Sequence, residues 1–467
     1  MYGQLKLSWE EPGSLVLTGF TGPVIGLVQQ TPSAGAPVTP SLLTPAVELL
    51  ASLTTPEEVR EKAWEVGAVR RTGKVCPYEF LMVVILGLSV RGTTSIAQLG
   101  HLFGEVTGVQ LARSSFWARF NGGFSELTKW RLDRLASEAR QTPPTPPGDL
   151  EVFKDVLAVG STVVKVHDDL RRVWKGTRRT SAKAALKVHA WVRALTGELV
   201  KYRVTREAFG DSRAFGIDSS LRGTLVLMDR GDCSPSLWRR IDTVGGYFLT
   251  RVPKGWNQVI TSMNRRHRGR ARKLVGKSLQ DALRGIKRQV LDVNVVFRCR
   301  VRGYGGLLSR KVDHEFRVIG QRRPDGELAL YVTNAPPQML SAEAVWDVYR
   351  LRWEAETFFK TAKSGCALNE LPSKNCRRVE ALVYAALIRA HIAMTARCRF
   401  VRRAPQTTDR WLNPGQWIRW WNRQLHTILE LVLGADAHMS ERQLWRLLSD
   451  PNVKRVPTRQ TFEAAES

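Results

Sequence analysis

The chain has 467 residues, 43% of them hydrophobic, a length suggesting about three domains and a composition ample for globular cores. Its formal charge is +28 with a pI near 10.4, which favours a polyanionic partner because each neutralised phosphate releases counterions. The six cysteines, Cys76, Cys233, Cys299, Cys366, Cys376 and Cys398, show no C-x-x-C spacing. Neither a zinc site nor a disulfide framework is indicated, and a reducing cytoplasm fits.

The first 40 residues are rich in Gly, Pro and Thr and read as loosely ordered. They carry Glu10 and Glu11 in place of a basic start followed by an apolar run, so no secretory signal is expected. From Pro45 to Arg140 apolar residues recur at spacings of three and four, the helical pattern. Within it, TTSIAQLGHLFGEVTGVQLARSSFWARFNGG reads as a helix, a turn at Gly108 and a second helix opened by Ser114 or Ser115. That shape suits a helix-turn-helix, but on pattern alone a plain helical hairpin is the commoner outcome. TPPTPPG at 142–148 stiffens the chain and marks a boundary.

Strand signals follow. VLAVGSTVVKV (156–166), ALKVHAWV (185–192) and ELVKYRVT (198–205) are short, β-branched runs separated by turn residues. A helix over DSRAFGIDSSL leads to the apolar run TLVLMD, which ends at Asp229; the helix SPSLWRRIDTV then precedes the strand GYFLTRV. This order predicts a mixed sheet covered by helices. Between Val252 and Leu340, VNVVFRCRVR, HEFRVIGQ and LALYVTN alternate as antiparallel strands. Helices return from 376 to 450. The most apolar stretch, ALVYAALIRAHIAMTA, contains Arg389 and His391 and reads as a buried helix too short to span a bilayer.

The most informative segment is AVWDVYRLRWEAETFFKTAKSG. At roughly 100° per residue, with Tyr349 as zero, Arg352 falls near 300°, Glu356 near 340° and Lys363 near 320°. Leu351, Ala355, Phe358 and Ala362 fall between about 180° and 240°, a separate apolar stripe for a core. Charges at helical spacing usually make a solvated face with modest ion pairs. Here, however, a carboxylate is flanked by two cations and a phenol, a set suited to a metal-bound phosphodiester.

The spacing Y-x2-R-x3-E-x6-K resembles the motif carrying the last catalytic acid in DDE transposases of the insertion-sequence-four (IS-four) family, the Tn-five-like group. The resemblance covers roughly residues 150–400. It implies an RNase H-like mixed-sheet catalytic core with a β-rich insertion, a helical N-terminal domain and a helical C-terminal region. The expected divisions are a helical DNA-binding region at 1–141, the first part of the core at 149–252, the insertion at 253–340, the last part of the core at 341–400 and a helical region at 401–467. By the same resemblance Glu356 is a metal ligand, and Tyr349, Arg352 and Lys363 contact phosphate. Asp229 closes an apolar strand running into D-R-G, the context of the family's second acid, and is expected to bind metal with Glu356. The ion would be Mg2+ or Mn2+.

The first acid departs from the pattern. The resemblance puts an Asp immediately before a small residue and Thr, and this chain has Gly160 before Ser161 and Thr162. Asp155 is five residues earlier, so strand alternation points it to the other face, and Asp168 would lie about 26 Å along a continuous strand.

Basic groups broaden the expected DNA footprint. LRRVWKGTRR places Trp174 among Arg171, Arg172, Lys175, Arg178 and Arg179, and NRRHRGRARK brings Arg265, Arg266 and Arg268. Arg230 follows Asp229 directly. A solvated charge run is the ordinary alternative for each. WLNPGQWIRWWNR reads as helix packing, and Trp256 and Tyr331 are candidate holders of a flipped base.

The expected function is a transposase that binds terminal inverted repeats as a homodimer and cuts and joins double-stranded DNA, impaired where Gly160 replaces the first acid. It would work in the bacterial cytoplasm, on the nucleoid, without a membrane partner. The rivals are a DNA-binding protein derived from a transposase without chemistry, and an RNase H-like structure-specific nuclease. A covalent tyrosine recombinase is disfavoured, because Tyr349 stands beside an acid and not within a cluster of Arg and His.

Overall fold

The computed structural model describes residues 6–8, 16–18, 54–88, 95–177, 182–232, 234–252, 255–266, 273–285, 290–302, 309–322, 328–369, 371–403 and 412–433. A short antiparallel ribbon pairs β1 (Lys6–Ser8) with β2 (Val16–Thr18). Five helices follow: α1 (Pro56–Glu65), α2 (Pro77–Gly87), α3 (Ile96–Thr107), α4 (Arg113–Ala118) and α5 (Gly122–Gln141). Thr55 with Glu58, and Ser95 with Gln98, form capping boxes that satisfy the first amides of α1 and α3. Gly108 ends α3 with φ +70°, as the sequence predicts. The second helix of that pair is capped by Ala112 and runs for only six residues. Its Phe116 joins Phe80, Phe103, Phe120 and Phe124 in a cluster of edge-on and tilted aromatic rings. The pair packs as part of a helical core.

The predicted strands form one nine-stranded sheet in the order β5-β4-β3-β6-β7-β11-β10-β9-β8. Its members are β3 (Asp155–Lys165), β4 (Ala185–Arg193), β5 (Leu199–Arg206), β6 (Thr224–Met228), β7 (Tyr247–Val252), β8 (Ile260–Met263), β9 (Leu291–Arg302), β10 (Ser309–Arg322) and β11 (Leu328–Thr333). β3, β4 and β5 form an antiparallel meander, while β3, β6 and β7 run parallel. This is the RNase H-like arrangement. β6 is buried at every position, as a central parallel strand covered on both faces must be. The helix expected over DSRAFGIDSSL is short, α6 (Asp211–Ala214), followed by a 3-10 turn at 219–221. After it comes α7 (Pro235–Thr243).

The β-rich insertion continues the same sheet. β11 pairs with β7 and carries β10, β9 and β8 outward, with α8 (Leu279–Gly285) beside them. Arg317 and Asp292 make a buried two-point pair across β10 and β9. The same guanidinium donates to the carbonyls of Ala335 and Leu340, at 3.1 and 2.7 Å. It thereby ties the insertion to the loop that feeds α9 (Val345–Arg350) and α10 (Trp353–Lys360).

The last helices are α11 (Cys376–Arg403) and α12 (Pro414–Val432). α11 has 28 residues, longer than the sequence reading allowed and long enough to cross a bilayer. Its apolar surface is instead buried against α2, α5 and the sheet, in one core that also holds Trp417, Trp420 and Trp421 of α12.

Candidate active site

The parallel ladder matches Asp155 with Thr224 and Ala158 with Leu227. Two residues further along each strand, Gly160 comes level with Asp229 at the end of β6. α10 lies across β3 and β4 on the face that position 160 points to. A Cβ added at Gly160 would stand 3.5 Å from the Cβ of Ala355 and 3.4 Å from Cε2 of Phe359. The apolar stripe of α10 thus seats Ala355 and Phe359 on the sheet, and Glu356 follows at the exposed edge.

Arg352 joins the two acids. Its Nη2 donates to Oε1 of Glu356 at 2.6 Å, and its Nε lies 3.9 Å from Oδ1 of Asp229. The guanidinium is largely buried, resting over the rings of Tyr349 and Trp353 at 5.8 and 5.5 Å. Burial opposes its charge, but Tyr349, Asp229 and Glu356 together outweigh burial and raise its pKa above the usual arginine value. Oδ1 of Asp229 also accepts from the backbone amide of Arg230 at 2.7 Å.

The motif is not one regular helix. α9 stops at Arg350, α10 starts at Trp353, and residues Thr361–Gly365 wind as a π-helix. Tyr349 is 8% exposed and packs edge-on against Tyr331 at 5.2 Å. It supports Arg352 from below, and its burial leaves little of its surface for phosphate. Lys363 sits in the π-turn, half-buried, and burial lowers its pKa.

The other expected residues divide. Arg171, Arg172, Lys175, Arg230 and Arg266 are exposed. Arg265 is exposed but engaged, pairing with Glu343 at 2.5 Å. Trp174 is only 7% exposed and belongs to the hydrophobic core, which leaves little of its indole for stacking on bases. Tyr331 is fully buried, and Trp256 packs on Trp238 and Phe297, so neither stands ready to hold a flipped base. Arg178, Arg179, Arg268 and Trp411 lie outside the described residues. Asp155 is buried against Arg193 on the opposite parity, and Asp168 leaves the strand for a 3-10 turn, where it pairs with Lys183. Neither supplies a third acid. The sequence reading passed over Trp353, which is 41% exposed beside Arg352. Its helical phase, next to the Tyr349 stripe, was the available signal.

A two-ion phosphoryl-transfer centre needs several carboxylates converging on ions about 3.5–4 Å apart. Asp229 and Glu356 have the right oxygen chemistry, but a guanidinium lies between them and position 160 has no side chain. Among the described residues no three His, Cys, Asp or Glu side chains gather to hold a metal ion. The residues present do not fit a two-ion centre.

Residues 151–391 match the family described as Transposase DDE domain. The chain is 24% identical over 382 residues to the transposase for insertion sequence element IS231F of Bacillus thuringiensis subsp. israelensis, covering 74% of this chain and 78% of the relative. It is 19% identical over 375 residues to the transposase for insertion sequence element IS1151 of Clostridium perfringens, covering 72% and 77%. Among solved structures, the piggyBac transposase in its synaptic complex with hairpin DNA aligns with 90% of this chain and 88% of its own, at 12% identity and a TM-score of 0.43. The match runs from just before β3, the strand that holds Gly160, into the helix behind Glu356, over more than half the chain, and this protein belongs to the transposase DDE domain family.

Proposed function

We propose that this protein is a transposase that binds the terminal inverted repeats of its element as double-stranded DNA, pairs two ends as a homodimer, and cuts and joins strands poorly because Gly160 stands where the first acid belongs. The observation that carries the reading is the meeting of Asp229 and Glu356 around Arg352, at the strand end where the family's chemistry takes place. Arg352 offers a fork to a phosphate and Lys363 a mobile point charge. Exposed Arg171, Arg172, Lys175, Arg230 and Arg266 extend the cationic surface, and the net charge of +28 supports a nucleic-acid partner. Magnesium or manganese is the ion that family chemistry calls for. The place of action would be the bacterial cytoplasm, on nucleoid DNA.

Gly160 favours one alternative, a DNA-binding protein without chemistry. Binding and cutting of terminal-repeat duplexes, measured separately with magnesium for the chain as written and for Gly160→Asp, test both readings. Tight binding with cutting only in the variant supports the proposal. Equal, efficient cutting by both proteins would mean the first acid is misassigned. Equal cutting of repeats and arbitrary junctions would point to a structure-specific nuclease.

A further inference from the structure

The π-turn at Thr361–Gly365 is held from outside. Asn422 of α12 donates its Nδ2 to the carbonyl of Gly365 at 2.8 Å, and the buried Arg389 of α11 donates to the carbonyl of Cys366 at 3.1 Å. A Cβ at Gly365 would lie 2.1 Å from Cγ1 of Ile418, so α12 docks directly on a backbone that only glycine leaves open. Ala367 then takes φ +57°, the one non-glycine residue with positive φ among those described. A π-turn and a left-handed alanine within a few residues, with a buried arginine packed against them, are local costs that the packing of two helices must sustain.

The turn changes where Lys363 points. On a regular helix Lys363 lies about 20° from Glu356, two turns on. Winding residues 361 to 363 at roughly 80° each, as i→i+5 bonding requires, moves Lys363 by about 60° toward the apolar stripe. The lysine is half-buried there, and among the described residues it has no ion-pair partner.

We infer that Asn422 is a positioning residue for DNA binding: it clamps the π-turn so that Lys363 is rotated away from the Glu356 meridian and aimed at a phosphate of the bound duplex. This rests on the phosphate role proposed above for Lys363. Without the clamp the segment can rewind as α-helix, and Lys363 swings back by about 60° toward the Glu356 meridian, away from that phosphate.

The experiment is the salt dependence of binding to a double-stranded DNA of fixed mixed sequence, for the chain as written, K363A, N422A and K363A/N422A, with thermal melting as a folding control. Asn422→Leu, with the same branched heavy-atom skeleton but lacking the donor, replaces N422A if the latter does not fold. K363A should lower the slope of log K against log salt by about 0.9, one phosphate contact. N422A should lose most of the same amount, and the double variant no more than K363A alone. Full additivity, or a wild-type slope in N422A, would overturn the clamp while leaving the role of Lys363 intact. An unchanged slope in K363A would remove the phosphate role and the clamp with it.

Discussion

Nη2 of Arg352 lies 2.6 Å from Oε1 of Glu356, and the same guanidinium reaches back to Asp229. Two acids from distant parts of the chain are thus held around one cation. If that cation is the phosphate ligand, as proposed above, binding DNA would mean sharing or releasing the acids. Arg352→Ala should weaken duplex binding by about 1.5–3 kcal/mol, the range of a hydrogen bond to a charged group. The carboxylates it pairs with are exposed enough to stay hydrated, so the melting temperature should move little. Gel-shift titration and thermal melting check the two halves, and an unchanged Kd would refute the phosphate role.

Gly160→Asp should be tolerated, since the new Cβ meets Phe359 and Ala355 at ordinary contact distance. It would add a third carboxylate level with Asp229. The variant should gain a magnesium-dependent rise in melting temperature that the parent lacks, equivalent to about 2.7 kcal/mol at an ion concentration of a hundred times Kd. Metal-dependent strand cutting should rise by orders of magnitude. Calorimetry in the presence and absence of magnesium reads the first effect without reference to activity.

Arg317→Met removes one partner of a buried pair and leaves Asp292 uncompensated, at a cost of about 3–5 kcal/mol. The loss should appear as a lower urea midpoint. Arg317→Met with Asp292→Leu should recover part of it, because the lone buried charge is gone. DNA binding should suffer in the single variant as well, since Arg317 holds the loop ahead of α9.

His391 lies buried in α11, its Nδ1 accepting from the Leu199 amide at 3.0 Å. Burial pushes its pKa down to about 4, against the pull of Glu198. The unfolded chain therefore takes up a proton near pH 6.5 that the folded chain refuses until about pH 4. Stability should fall as pH drops through that window, by up to about 3 kcal/mol from this group. His391→Gln should flatten this part of the pH profile in denaturant titrations from pH 7 to 4.

The strands of the core were legible because burial on both faces writes continuous apolar runs such as TLVLM, and the insertion because a half-covered sheet writes alternation. Asp229 could be read from its place at the end of such a run. The basic neighbourhood of Trp174 suggested an exposed ring, but its indole is buried in the hydrophobic core. The break at Leu351 and the π-turn at Thr361 left no mark on the helical wheel, since both segments keep a helical spacing of apolar residues.

By itself the sequence determined the order of the elements and which residue types could do chemistry at which strand end and helix face, because periodicity and spacing are local properties. Only the tertiary structure decided that Arg352 would sit between Asp229 and Glu356, that Tyr349 would be buried beneath it and that Lys363 would turn with the π-helix. Those outcomes depend on what packs against each segment. The sheet under α10 and the helix α12 behind Gly365 come from parts of the chain that no local pattern at 349–363 can register.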